Sequence, residues 1–199
     1  MLTPTTKEDA ITMMLSCIGI APKPLDLTAS PLNSEVALAK HILEDVLRDI
    51  QTQGWAFNRE DNFPLTRNAK GKIELPQNAL RVESLRDRPH LIERSVEEKG
   101  QTKTYLYDTR KHSFLMEITV YMTVVWLFDF AEIPEVYRRY VIIRASRIFQ
   151  DRAIGSSTLH AFNERDELAA LAALKNADNE LNNPNFIAGN AYFADLLDR

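Results

Sequence analysis

The sequence contains a single cysteine, Cys17, so no disulfide can form within the chain. Its neighbours include Met14 and Ile18, which predicts a buried, inert thiol. The longest apolar run lies near 120–130 and contains Asp129, whereas a helix that spans a bilayer needs roughly 20 apolar residues. The N-terminal residues also lack the apolar core of a signal peptide. We therefore expect a soluble protein without a membrane partner, made and folded in a cytoplasm.

An excess of positive charge is also lacking. Lysine and arginine total 24 against 28 aspartates and glutamates, which gives a formal net charge of −4. Proteins that grip nucleic acid through its phosphates present a basic surface. The charge balance argues against DNA binding by bulk charge, but it allows a surface past which DNA slides without being held.

Residue patterns that carry chemistry are absent as well. His160 and Glu164 have the helical spacing of a metal-binding pair, but this signal is weak. His41 is in line with Glu44 and Asp45 and is expected to be a surface histidine. The six glycines form no phosphate-binding, dinucleotide-binding or nucleophile-elbow motif. A glycosidase needs two carboxylates roughly 5–10 Å apart, and the sequence gives no basis for choosing a pair. We predict no enzyme, no cofactor and no metal site, with a glycan or peptidoglycan hydrolase as one alternative.

Two helices are predicted before residue 55. Thr5 and Glu8 have capping-box spacing, so the first helix is expected to begin there and to end near Gly19. The second is expected from about 34 to 53, with Gly54 ending it. Its apolar residues recur on one face: Val36, Ala39, Leu43, Val46, Leu47 and Ile50.

Two more helices are predicted after residue 130. Pro134 opens the third, because its missing N–H costs nothing in the first turn, and the helix is expected to reach Arg152. Ser156 or Ser157 caps the fourth, which is expected to run to about Leu181. The inner face of this fourth helix is predicted to consist mainly of small residues: Leu159, Phe162, Ala169, Ala170, Ala173, Leu174 and Ala177.

Residues 55–130 have the pattern of a small antiparallel sheet. Strands are predicted near residues 72–75, 80–85, 93–98 and 102–107. A long last strand is predicted from alternating apolar residues between Phe114 and Phe128, which would place one face in a core. The predicted fold class is α+β, a bundle of about four helices with an inserted small antiparallel β-sheet.

The predicted domain organisation follows from these elements. Residues 1–54 and 131–181 form the helical bundle, and 55–130 form the inserted β region. Residues 182–199 carry too many apolar side chains for a solvated tail, so we predict that they dock on another surface.

The third predicted helix places charge on its apolar side. Arg144 falls on the same arc as Tyr137, and Arg152 lies on that arc near the helix end. A guanidinium buried without a partner is very costly. One explanation is an ion pair between Arg144 and Asp166 on the fourth helix. The other is that Arg144, with Arg138 or Arg147, reaches acidic groups of a neighbouring subunit.

Two sets of candidate residues result. The predicted contacts with subunits or partners are Arg138, Arg144, Arg147, Arg152, Asp166, Phe186, Tyr192 and Phe193. The predicted structural residues are Gly54, Trp55, Phe57, Pro134 and Tyr137.

Four segments together resemble a known family. The first two are Ser16-Cys17-Ile18-Gly19 before a proline-containing linker and the helix end Gln51 to Asn58 with its Gly-Trp-x-Phe-Asn junction. The other two are the stretch from Ile133 to Phe149 and Glu164 to Glu167 with the alanines that follow. Their order and spacing are similar to those of the tail tubular protein A family of short-tailed bacteriophages (podoviruses), also called adaptors or gatekeepers.

The resemblance implies a structural virion protein in the neck region of the phage tail, made in the host bacterial cytoplasm. Members of the family form a dodecameric ring that joins the portal protein to the nozzle, tail tubular protein B. Tail fibres seat at the same joint, and genomic double-stranded DNA passes through the lumen during ejection without specific binding. In such a ring, the apolar side chains Phe186, Tyr192 and Phe193 lead us to expect that the tail docks on the portal or on the next subunit. A neck or head-completion protein of another phage type is the second alternative.

Overall fold

A computed structural model describes residues 4–84, 90–98 and 100–182. Its contacts divide the chain into two compact units. One unit, called here the helical unit, takes in the described residues of 1–50 and 129–199; the other, the β unit, covers 51–128. The domain boundaries expected from the sequence stay a prediction.

Four α-helices are found in the described part of the chain. They are α1 (Lys7–Ser16), α2 (Ser34–Thr52), α3 (Glu135–Ala153) and α4 (Ser157–Asn182). The capping box that opens α1 consists of Thr6 and Asp9, so the prediction of Thr5 and Glu8 is wrong by one residue. Thr5 instead donates its hydroxyl to Glu135 at the start of α3. The other three helices are confirmed within a few residues.

The core of the helical unit forms around α3, against which α1 and α4 pack. The apolar stripe predicted for α2 is confirmed, because all six of its residues are buried. The stripe of α1 is buried too, and it ends at Leu15. Cys17 follows the last helical residue and is exposed, so the prediction of a buried thiol is wrong.

The inner face of α4 differs from the predicted one. Leu174 is fully buried, as expected, but Leu159, Phe162, Ala169 and Ala173 are exposed. The face of α4 that packs against α3 is the one that carries the buried Glu167, because this carboxylate pairs with arginines of α3. Charge pairing therefore overrides the small-residue pattern in setting the rotation of α4.

The β unit contains two antiparallel sheets in its described residues. The first consists of β1 (Arg59–Leu65), β2 (Ala79–Glu83) and β5 (Val120–Trp126), in the order β1-β5-β2. The second pairs β3 (Leu91–Glu98) with β4 (Gln101–Asp108) in full register. The α+β fold class is thereby confirmed.

Two strand predictions need correction. The last strand begins only at Val120, and Ile118, expected on the buried face, is 59% exposed. The segment 72–75 forms isolated bridges and not a strand. β1 is not among the predicted strands; most of its side chains face solvent and it contains Pro64. It still pairs with β5, which makes β5 the central strand of its sheet.

The core of the β unit collects residues from strands and loops alike. Its buried members are Leu65, Ile73, Leu75, Leu91, Leu106, Met116, Val120 and Met122. Residues that lie outside any strand, such as Ile73 and Met116, are buried as deeply as those within strands. Burial, more than regular pairing, therefore explains the apolar pattern of 72–75 and 114–116.

Candidate interaction surfaces

A cluster of opposite charges joins three helices of the helical unit. Glu167 of α4 pairs with Arg147 through Nε and lies 3.5 Å from Nη1 of Arg144. Nη2 of Arg144 is 3.1 Å from Asp49 Oδ2 of α2. The expected pair between Arg144 and Asp166 is wrong, because Glu167, the adjacent residue, occupies that role.

The cluster continues toward the end of α3. Nη1 of Arg147 lies 3.5 Å from Asp151 Oδ2, which is 2.8 Å from Nδ1 of His160. The hydrogen bond to Glu167 raises the pKa of Arg147 despite partial burial. Burial alone would lower the pKa of Arg144, but Tyr140, Glu167 and Asp49 raise it. Both guanidiniums therefore stay charged and bind α2, α3 and α4 together.

Arg138 is almost fully buried, and its guanidinium donates hydrogen bonds mainly to backbone oxygens of its own unit. Nε donates to the carbonyl of Ile133 at 2.9 Å and Nη2 to that of Ala131 at 2.6 Å. Nη1 donates to the carbonyl of Thr5 at 3.2 Å. The side chain thus fixes the turn before α3 to the segment that leads into α1.

The remaining predicted contact residues lie at the surface or outside the described chain. Arg152 and Asp166 are exposed. Arg152 lines a shallow groove between α2 and α3, and Asp166 lines a second groove described below. The predicted docking tail, 182–199, lies outside the described residues except for its first residue. Its predicted contact residues Phe186, Tyr192 and Phe193 therefore lie outside them too.

Pro134 and Tyr137 place the start of α3. Pro134 is the N-cap, and its carbonyl accepts hydrogen bonds from Tyr137 N and Arg138 N. The ring of Tyr137 is fully buried, and its hydroxyl donates to Asp178 Oδ1 of α4 at 2.6 Å. Burial and this carboxylate raise the pKa of Tyr137.

A network of neutral amides holds the two ends of the β unit together. Gln51 exchanges two hydrogen bonds of 2.9 Å with the backbone of Phe128. Asn58 accepts from Trp55 N at 2.9 Å and donates to the carbonyls of Gln51 and Trp126 at 2.9 and 2.8 Å. Each of these two amides is 1% exposed. Sequence reasoning included both residues in a motif but gave them no role.

The predicted structural residues Gly54, Trp55 and Phe57 lie in the same network. Gly54 has φ +77°, and a Cβ there would approach Val125 Cγ2 to 3.0 Å. Trp55 is buried, and the ring of Phe57 packs against Phe128 with centroids 6.2 Å apart. The Gly-Trp-x-Phe-Asn junction therefore closes the β unit at the point where the chain enters and leaves it.

Glu167 is the main functional candidate that sequence reasoning missed. It lies seven residues before Leu174, so both fall on one face of α4. That spacing indicates that Glu167 lies on the buried face. A buried carboxylate can be predicted there, however, only when its cationic partners are known.

Large apolar side chains remain exposed on α4. Phe162, Leu168 and Leu181 are 66%, 61% and 63% exposed. Scattered apolar residues are ordinary on a protein surface, so these three side chains are only candidates for contact with another molecule.

Two further observations concern ligands and membranes. Among residues 4–84, 90–98 and 100–182, no group of three or more histidine, cysteine or carboxylate side chains is placed to hold a metal ion. In the same described residues, no helix combines the length and the apolar character needed to cross a bilayer.

Comparison with protein families identifies the class. The family model of the tail tubular proteins matches residues 8–184. Curated proteins give no match to the sequence. The family model spans α1 to α4 with the β unit between them, so the chain belongs to the tail tubular protein family of phages and is a structural component of a phage tail.

Proposed function

We propose that this chain is the adaptor of a short-tailed phage. Copies form a closed ring, dodecameric as in the family it resembles, between the portal protein and the nozzle. Each copy makes heterologous contacts, in which one face meets a different face of its neighbour and rotation closes the ring. Tail fibres seat on the same joint, and the protein acts there without catalysing a reaction.

The exposed apolar side chains of α4 carry this proposal. Phe162 and Leu168 are each more than three-fifths exposed in the single chain. A neighbouring copy that covers them would gain apolar burial of the kind that drives subunit association. Asp166, also exposed on α4, supplies a charged group for the rim of such a contact, and the exposed Arg152 at the end of α3 is a second candidate.

The charged groups predicted as contacts have two different roles in this proposal. Arg138, Arg144 and Arg147 use donors within the chain, so we assign them to holding the helices in the shape that a neighbour recognises. The helical unit would then make the contacts between copies, and the β unit those with the nozzle and fibres. In the assembled joint, residues 182–199 would dock on the portal or on the next copy.

Passage of DNA fits the charge of the chain. With a formal net charge of −4, a ring of copies offers no general attraction for phosphates. A strongly basic lumen would retain DNA through counterion release. The proposed role is therefore a conduit and not a DNA-binding site.

Electron microscopy of the protein mixed with its portal tests the proposal. We expect a ring of copies seated on one end of the portal. The double variant Phe162→Ser/Leu168→Ser should keep its helical content but form no ring, because the apolar contact is lost. The control Leu38→Ser changes a partly exposed leucine of α2 and should assemble normally. Absence of the polypeptide from the neck of intact virions would refute the assignment.

A further inference from the structure

A groove of about 510 Å³ lies between α1, α3 and α4. Its apolar lining is formed by Met13, Ile142, Ile143, Ala169, Ala170 and Ala173. Charged side chains of opposite sign, Arg139 and Asp166, also border it. A groove of this size, apolar with a few polar groups, has the character of a binding site.

No part of the described chain covers this groove. Met13 is 51% exposed, and Ala169 and Ala173 are exposed on α4. The sequence pattern predicted these alanines on an inner face, in contact with another element. The exposed stripe of α4 therefore has the composition of a helix face that packs against another element. Among residues 4–84, 90–98 and 100–182, nothing covers it.

We propose that in the free chain this groove binds the chain's own C-terminal segment, residues 183–199. The segment follows directly on α4, the helix that supplies much of the groove. It is rich in large apolar side chains: Phe186, Ile187, Tyr192, Phe193, Leu196 and Leu197. The last four recur at i, i+1, i+4 and i+5, the spacing that would place them on one helix face.

The length of the segment is sufficient for this return. From Ala173 to the end of α4 at Asn182 the helix advances about 14 Å, at 1.5 Å per residue. Extended chain covers roughly 3.3–3.6 Å per residue, so 183–199 can reach about 55 Å. It begins Asn-Pro-Asn, residues that favour chain reversal. The apolar part can therefore run back along α4 to the groove.

Charge and tethering favour the chain's own segment as the occupant. Asp195 and Asp198 of the segment are opposite in sign to Arg139 at the groove, and Arg199 is opposite to Asp166. A short tether gives an effective concentration on the order of millimolar. A second copy at ordinary concentrations competes poorly with it. The groove would thus hold the segment until assembly offers another surface.

Cys17 provides a direct measurement of groove cover. It is the single cysteine of the chain, it lines the groove, and it is exposed in the described structure. In the full-length chain we expect slow reaction with a neutral thiol reagent, because the docked segment covers the thiol. The full-length variant Tyr192→Ser/Phe193→Ser should react about tenfold faster, the ratio expected when about nine tenths of molecules are docked.

A matched pair on α4 tests the groove itself. Ala173→Gln places a longer neutral side chain in the groove and should accelerate labelling to the same extent. Ala172→Gln makes the same change at an adjacent exposed position that does not line the groove, so its rate should remain that of the unchanged chain. Far-ultraviolet circular dichroism checks that both variants keep their helices.

Three outcomes would overturn the proposal. The first is equal labelling rates in the unchanged chain and the Tyr192→Ser/Phe193→Ser variant. The second is equal acceleration by the two glutamine substitutions. The third is protection that disappears on dilution, which would make a second copy the occupant. None of these measurements requires a ring, so they succeed or fail independently of the adaptor assignment.

Discussion

A cluster of partly and fully buried charged groups joins the helices of the helical unit, whereas the polar groups that close the β unit are neutral amides. Glu167, Arg144 and Arg147 form a cluster between helices. The side chains of Gln51 and Asn58 make five hydrogen bonds of 2.8–2.9 Å, all with backbone groups. The two units therefore fix their internal geometry by different chemistry.

The difference follows from what each region has to join. Helices whose own backbone groups are satisfied can be held only by side chains, and long charged side chains reach from one helix to another. At the base of the β unit, strand and helix ends leave backbone N–H and C=O groups unpaired. An amide offers both a donor and an acceptor, so one asparagine satisfies backbone groups of three residues, two at the start of the β unit and one near its end.

The largest effect is expected when the neutral network is broken. Asn58→Leu removes the partner of three buried backbone groups, each costing about 1–3 kcal/mol when unsatisfied, so the β unit should lose about 3 kcal/mol or more of stability. The only tryptophans, Trp55 and Trp126, both lie in this unit. Urea unfolding followed by tryptophan fluorescence therefore measures its stability.

An exposed asparagine of the same unit provides the control. Asn78→Leu should change the fluorescence midpoint by no more than about 0.5 kcal/mol in free energy, because its side chain faces solvent. If the two substitutions cost the same, the amide network does not hold the unit closed.

A smaller loss is expected in the helical unit. Glu167→Gln removes the carboxylate shared by Arg144 and Arg147 and leaves two like charges close together. Breaking a buried ion pair costs about 3–5 kcal/mol, but both arginines are partly solvated and keep Asp49 or Asp151. We expect about 2 kcal/mol, measured by urea unfolding followed by far-ultraviolet ellipticity, which reports mainly the helices.

The control for this change lies on the same helix. Glu180→Gln neutralises an exposed carboxylate of α4 and should leave the ellipticity midpoint unchanged within error. A comparison of the two signals in Glu167→Gln is equally informative. Should fluorescence shift as much as ellipticity, the charged cluster would stabilise the whole chain and not the helical unit alone.

The sequence predicted the helices well because their signals are local. The stripe of α2 recurs with helical period. Pro134 lies one residue before the predicted first-turn position, as the N-cap of α3, and Gly155 follows its C-cap, where glycine is favoured. The capping box of α1 was misplaced by one residue because two threonines are adjacent and each has an acidic residue three positions later. Local chemistry cannot separate such equivalent alternatives.

Features that depend on distant partners were not predictable in the same way. The rotation of α4 is set by Glu167, whose importance appears only when Arg144 and Arg147 are known to face it. β1 has almost no apolar alternation and becomes a strand only because β5 pairs with it. The apolar pattern of 114–118 has the alternation of a strand, although the buried Met116 lies in irregular chain.

The smallest predicted effect is a difference in stability cost between two glycine substitutions, one at the start of the β unit and one in the turn between β3 and β4. Gly54 and Gly100 have nearly the same φ, +77° and +75°, so alanine is strained by about 1–2 kcal/mol at either position. Only at Gly54 would the new Cβ also meet other atoms, Val125 Cγ2 at 3.0 Å and Arg81 Nη2 at 3.1 Å. Gly54→Ala should therefore cost about 1 kcal/mol more than Gly100→Ala in fluorescence-monitored unfolding. Equal costs would mean that Val125 and Arg81 yield freely and that glycine is needed at this junction for its backbone conformation alone.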